Sequence, residues 1–260
     1  MMNKNKGYVN QDYLNQAAQM FAPIKLDSYE KLRANSIQSL IDVGCGTGID
    51  TTTIAQLNPE IKNIVGVDFD KDMIEQADKL AEQKECSDRT RHQHANSYDL
   101  PFEDNSFDAV RAERLFMHLE EPEKALREML RVAKPGGRLV IVETDWASMS
   151  VNNGMDELER RTSHYFASEF LNNGYSARRL PGQLKAAGLE KVDIEIRSLQ
   201  SYDYQLWLLL SQHSAMMQKA LQNNFVSQTE FDDWNSQLES NDRKKSFFST
   251  INIMSFSCET

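Results

Sequence analysis

Short apolar runs alternate with stretches of helical apolar spacing through the first half of the chain. Ile37 to Val43 predicts a first buried strand, and Ile49 to Leu57 a first helix stopped by Asn58-Pro59. Asn63 to Val67 predicts a second strand ending at Asp68, with Asp70 placed to cap the helix that follows. In that helix Met73, Ile74, Ala77, Leu80 and Ala81 fall on one stripe. Two strands joined through a helix form a right-handed parallel βαβ unit.

The alternation continues. Arg91 to Ala95 reads as a third strand and Phe107 to Ala112 as a fourth. Pro122 starts a helix whose buried face is Ala125, Leu126, Met129 and Leu130. Lys134-Pro135-Gly136-Gly137 predicts a type II turn delivering the chain into a fifth strand, Arg138 to Glu143. Between about 148 and 175 the pattern pauses for a helix, Met155 to Leu171, with Gly174 as its stop. Ala177 to Ala187 is a further helix closed by Gly188. In Val192 to Arg197 apolar residues alternate with charged ones, predicting a strand with one wet face. A second insertion, 202–245, reads as helical, and Phe247 to Cys258 as a final strand. This is the doubly wound α/β class, whose ligands sit outside the carboxyl ends of the strands. Residues 1–35 form a polar arm with a helix around Tyr13 to Met20 interrupted at Pro23, and residues 36–260 the main domain.

Bulk properties narrow the function. The 260 residues carry a net charge of -10, which argues against a protein that grips a phosphate backbone by bulk electrostatics. Three cysteines, Cys45, Cys86 and Cys258, are too few and too scattered for a disulfide framework. The polar N-terminus lacks the apolar core of a signal peptide, and Leu206 to Leu210 is too short to span a bilayer. The expectation is a cytoplasmic protein.

The chemistry gathers at Leu40 to Gly48, where an apolar strand passes through Asp42 into Gly44, Gly46 and Gly48 and then into a helix. Glycines there let a ligand lie against the backbone, and the helix start offers N–H donors. Asp68, at the end of the second strand, stands where an acid accepts from ribose hydroxyls. These two features fit an NAD-dependent oxidoreductase as well as a protein that binds S-adenosylmethionine.

Four segments in order separate the two: Ile41 to Gly48, Gly66-Val67-Asp68, Asp99-Leu100-Pro101-Phe102 with Asn105 to Asp108, and Arg131 to Gly137. Together they resemble the class I S-adenosylmethionine-dependent methyltransferases of the small-molecule type, similar to quinone-biosynthesis C-methyltransferases. The likeness spans about residues 37 to 145 and does not reach the insertions. It implies a seven-stranded, mostly parallel sheet of order 3-2-1-4-5-7-6 with an antiparallel last strand. It also implies methyl transfer to a small molecule with release of S-adenosylhomocysteine. Asp42 and the Gly44–Cys45–Gly46–Gly48 turn would cradle the methionine part, Asp68 the ribose, and Phe69 and Met73 the adenine. Asn96 stands where the family usually carries an Asp toward the adenine, followed by Ser97 and Tyr98. A non-catalytic cofactor-binding protein of the same fold is the alternative of a different class.

For proton transfer the candidates lie at the carboxyl ends of the fourth and fifth strands: Glu113, which can equally contact the cofactor, His118, whose ordinary pKa is near neutrality, and the Glu143-Thr144-Asp145-Trp146 cluster. Arg114 and Trp146 are candidates for holding the acceptor, with Tyr8 and Tyr13 if the N-terminal arm folds over the site. His92 and His94 share a strand face but have no third metal ligand nearby in sequence, so no metal is expected.

Overall fold

In a computed structural model of the chain, residues 11–260 are described. Tyr8 lies outside the described residues, as does the side chain of Tyr13. The sheet contains β1 (Ser39–Val43), β2 (Asn63–Asp68), β3 (Thr90–His94), β4 (Phe107–Glu113), β5 (Ala133–Val151), β6 (Asp193–Ser201) and β7 (Ser249–Glu259). Its order is β3-β2-β1-β4-β5-β7-β6, with β7 antiparallel to both neighbours, as the motifs imply. Every residue of β1 is buried, as befits a central parallel strand covered on both faces.

The flanking helices include α1 (Gln11–Glu30), α2 (Ile49–Leu57), α3 (Lys71–Gln83) and α4 (Pro122–Val132). They are followed by α5 (Asp156–Tyr165), α6 (Ser176–Ala186), α7 (Tyr204–Ser211), α8 (His213–Gln222) and α9 (Gln228–Arg243). Asp70 caps α3 by accepting from the N–H groups of Asp72 and Met73 at 2.6 and 3.3 Å. Phe107, Met129 and Ile141 belong to the main core, on the α4 and α6 side of the sheet. The insertions carry a second core around Trp234, Met216 and Met217, all fully buried. Among the described residues no helix is long and apolar enough to cross a membrane.

Four expectations are corrected. Helix α1 runs unbroken through Pro23. Proline inside a helix costs about 3 kcal/mol, but Phe21, Ile24 and Tyr29 are buried, each contributing roughly 1.5–3 kcal/mol. Strand β5 starts at Ala133, which pairs with Phe107 of β4, and continues to Val151 because the β7 ladder runs from Arg138 to Val151, with a register shift between Asp145 and Ser150. Gly136 keeps the left-handed φ of +74° expected of a turn, yet its N–H donates to the Thr260 carbonyl. Gly174 does not cap a helix; a Cβ there would lie 2.6 Å from the Ala167 backbone, so it serves close packing.

The fourth concerns β6, whose supposedly dry face is open: Ile194 and Ile196 are 40% and 61% exposed. Its charged face meets the end of α1, where Lys31 pairs with Glu195 at 2.7 Å and Arg197 pairs with Asp27. Edge position and ion pairing reverse what alternation alone predicts.

Candidate functional site

Strand β1 ends by passing two N–H groups, of Gly44 and Cys45, to the Val67 carbonyl at the end of β2. This fixes the start of the glycine turn at the carboxyl edge of the sheet. Gly48, with φ +74°, closes the turn against a wall: a Cβ there would stand 2.8 Å from Ala77 Cβ and 3.0 Å from His92 Nε2. Gly46 differs. It also holds a left-handed φ, +53°, but nothing lies within 4 Å of where its Cβ would be. The turn is therefore open at Gly46 and closed at Gly48. His92 supports the closed side, bonding Thr51 Oγ1 at 2.8 Å and Asp78 at 3.0 Å. Cys45 is buried beside Gly66, and burial pushes its thiol well above the ordinary range, so it is a spacer rather than a nucleophile.

Asp68 borders the open side. One carboxylate oxygen accepts from the Gly46 N–H at 2.9 Å and the other from the Asp70 N–H at 2.9 Å. Each oxygen keeps a further lone pair for a hydroxyl. Burial raises its pKa despite those two N–H bonds. Phe69 follows, 73% exposed, its ring 5.9 Å from that of His94. A large aromatic face left in water beside an open turn is a ready stacking surface. Met73 is half-buried one turn into α3.

The loop after β3 divides its three candidates. Asn96 is exposed, and its Oδ1 accepts from the Tyr98 N–H at 3.0 Å. Ser97 is half-buried. The Tyr98 hydroxyl accepts from the N–H groups of Glu120 and Glu121, at 3.0 and 3.1 Å, and so helps start α4.

Asp42 does not face the open turn. Its carboxylate, 1% exposed, bonds Arg111 Nη1 at 3.0 Å in an ion cluster beneath α1. Arg111 also meets Asp50 at 3.5 Å and pairs with Glu113. Lys25 of α1 enters from above, 2.8 Å from Asp50 and 2.9 Å from Glu113, and the Tyr29 hydroxyl donates to Asp50. Burial holds the Asp42 carboxyl above its usual range, up to about 6, although Arg111 pulls it back. The Asp50 carboxyl sits below its usual range because Lys25 and Arg111 outweigh the cost of burial. Three carboxylates thus meet two enclosed cations, with Arg114 3.8 Å from Glu113 at the rim.

Two of the proton-transfer candidates fare differently from expectation. Glu113 has its oxygens engaged by Lys25 and Arg111, which suits a structural counter-ion better than a base. His118 keeps an exposed edge, but loss of water around its ring and the nearby Arg114 push its pKa down to about 4. A lowered pKa makes it a weaker proton acceptor than an ordinary histidine.

Arg114 and Trp146 come together. Both border one partly closed cavity under α1 and α7. Trp146 stacks on Phe166, ring centroids 4.8 Å apart.

Sequence reasoning missed Lys25, Tyr29, Asp50 and Arg111; the available signal was an arginine inside an otherwise apolar strand. Glu143, from the polar cluster that ends the fifth strand, is fully buried and accepts from the N–H groups of Met117 and Thr144 at 3.1 and 2.9 Å. Burial pushes its pKa up to about 7.

The residues around Gly46 fit an adenosyl ligand. The open Cβ position leaves room against the backbone, Asp68 offers acceptors for hydroxyls, and Phe69 offers a flat apolar face.

Comparison with known proteins gives a consistent result. Residues 41–141 match the methyltransferase domain family. The chain is 32% identical over 188 residues to the demethylmenaquinone methyltransferase of Bacillus licheniformis, covering 66% of this chain and 79% of that protein. It is also 32% identical over 173 residues to an uncharacterized 37.1 kDa protein in transposon TN4556 of Streptomyces fradiae. That alignment covers 66% of this chain but only 48% of the transposon protein, about half its length. The crystal structure of YcgJ from Bacillus subtilis superposes with a TM-score of 0.67 at 19% identity, covering 92% of this chain and 98% of the other.

Proposed function

The chain belongs to the class I S-adenosylmethionine-dependent methyltransferases, and from this premise we propose that it methylates a small-molecule acceptor and releases S-adenosylhomocysteine. The observation that carries the proposal is the turn left open at Gly46, bonded to Asp68 and flanked by the exposed Phe69. S-adenosylmethionine, when bound, supplies a methyl group already activated on a sulfonium, so the protein's task is orientation and exclusion of water.

Each part of the site has a role in that task. The backbone at Gly44 to Gly48 and the start of α2 receive the methionine part. Asp68 accepts from the ribose hydroxyls, and Phe69 with Met73 holds the adenine, whose edge Asn96 meets. Asp42 acts indirectly: with Asp50 and Glu113 it balances Lys25, Arg111 and the rim Arg114 in an ion cluster that ties β1, α2 and β4 together beneath the turn. Helix α1 closes over this cluster through Lys25. A small-molecule acceptor agrees with the demethylmenaquinone methyltransferase relative. It agrees also with the acidic chain, which offers no bulk attraction for nucleic acid.

Thermal melts with S-adenosylhomocysteine and with NAD test the reading, since a ligand that binds only the folded state raises the midpoint. The expected result is a concentration-dependent rise with S-adenosylhomocysteine and none with NAD. A rise with NAD alone would reassign the turn to an oxidoreductase.

A further inference from the structure

One imidazole stands behind the cofactor turn with both of its nitrogens engaged. Strand β3 carries His92 in register with Gly66 of β2. The ring takes the space that glycine leaves: a Cβ on Gly66 would meet His92 Cδ2 at 2.7 Å and Cys45 Sγ at 2.8 Å. Gly66 does not hold a left-handed φ, so bulk rather than backbone conformation keeps a side chain out. The same ring reaches Gly48, whose Cβ position lies 3.0 Å from Nε2. Two glycines of the cofactor motifs thus make room for one histidine, whose side chain is shut off from solvent.

The hydrogen bonds around this ring can be counted proton by proton. Nδ1 lies 3.0 Å from the Asp78 carboxylate of α3, and Nε2 lies 2.8 Å from Thr51 Oγ1 of α2. An ionised carboxylate only accepts, so Nδ1 carries a proton. Thr51 Oγ1 is also 3.0 Å from the Gly48 carbonyl oxygen. That oxygen already receives the Thr52 N–H at 3.0 Å and the Thr52 hydroxyl at 2.8 Å, the shorter of that hydroxyl's two contacts. Those donors fill its two lone pairs, which leaves the Thr51 proton to Nε2. Burial lowers the ring's pKa although Asp78 pulls the other way, in agreement with a single ring proton. The result is a relay in which Thr51 donates to His92 and His92 to Asp78. Hydroxyl, imidazole and carboxylate in that order can activate a nucleophile. Thr51 is fully buried, so this relay holds and does not react.

We propose that His92 is a positioning residue for the cofactor, acting through Thr51 on the first turn of α2 and through Asp78 on α3. This role rests on the reading of the glycine turn as the S-adenosylmethionine site and adds a part to it. Gly44 and Cys45 tie the start of the turn to β2, and His92 ties its far end to β3 and α3. His92, shut off from solvent, touches no ligand itself. Without its tie the N–H groups at the start of α2 are free to shift, and part of the binding free energy goes into ordering them.

The test is a double-mutant cycle read as affinity for S-adenosylhomocysteine, by calorimetry on the full chain below the thermal midpoint of every variant. His92→Asn keeps a donor near the Nδ1 position and loses the Thr51 partner, whereas His92→Gln keeps an amide that reaches Thr51. Thr51→Val keeps the shape of the side chain and loses the hydroxyl. His92→Asn and Thr51→Val should each lower affinity about tenfold, the worth of one hydrogen bond. The double variant should lose no more than either single one, and His92→Gln should stay within about threefold of the parent. A role in packing alone gives additive losses in the double variant, or the same loss for Gln as for Asn, and either result overturns the proposal. Unchanged affinity in Thr51→Val overturns it alone, and that variant carries the test if His92→Asn does not fold. No binding by the parent removes the cofactor reading and the role of His92 with it. Binding by the parent with additive losses removes the role of His92 and spares the cofactor site.

Discussion

Lys25 and Asp50 stand 2.8 Å apart, joining the N-terminal helix to the first turn of the helix that leaves the glycine turn. Neither residue is in a recognised motif, and both are nearly buried, at 11% and 12% side-chain exposure. Burial alone would lower the Lys25 pKa, but Asp50 and Glu113 outweigh it and keep the ammonium charged. The contact makes α1 part of the site rather than an appendage to it.

Removing Lys25 should therefore be costly. Lys25→Met leaves Asp50 and Glu113 facing Arg111 without their second cation, and breaking a buried pair from one side costs about 3–5 kcal/mol. Urea denaturation should show that loss. Adding Asp50→Asn should cost less than the sum of the two single changes, because the unpaired charge is gone. Strict additivity would mean that the contact carries no coupling.

The two glycines predict opposite phenotypes. Gly46→Ala puts a methyl into open space, so it should cost roughly 1–2 kcal/mol for the left-handed backbone while abolishing S-adenosylhomocysteine binding. Gly48→Ala drives a methyl into Ala77 as well and should lower the thermal midpoint further. Melts and calorimetry on both variants check this. Retained binding by Gly46→Ala contradicts the placement of the ligand.

Glu143 should make stability fall as pH rises. Its folded pKa, about 7, lies above its ordinary value of 4.5, so the folded state binds the extra proton between them. That contribution is complete below about pH 4.5 and is lost as pH rises through about 7. Glu143→Gln removes the dependence. Its stability relative to the parent should increase from pH 5 to pH 8 by up to about 3 kcal/mol. A difference that stays flat with pH counts against the burial argument.

His118 should remain neutral across the physiological range, given a pKa near 4. Proton NMR of its ring from about pH 5.5 to 8 should show no titration. A midpoint near the ordinary histidine value would return it to the list of proton acceptors.

The strands were legible because β1, β2 and β4 are mostly apolar runs with clear stops, and the glycine turn and Asp68 because they are local in sequence; the strand order came only from the family resemblance those motifs carry. The ion cluster was not. It joins Lys25, Asp42, Asp50 and Arg111 from four elements, and nothing in the spacing of four charges says that they meet. The open face of β6 was hidden for a similar reason: alternation shows two faces, but Asp27 of α1 and Lys31 just past its end decide which one is covered. Arg114 and Trp146 could be named only as candidates, since the cavity they share is completed by residues of α1, α7 and β7.

The central claim is that Asp68 and the open turn at Gly46 hold the nucleoside of S-adenosylmethionine. Calorimetric titration of the full chain with S-adenosylhomocysteine, parent against Asp68→Ala, tests it most directly. The account predicts binding by the parent and a loss of about 10- to 100-fold in the variant, the worth of one charge-assisted hydrogen bond or slightly more. Equal affinity in the two proteins, or no binding by the parent, would contradict it.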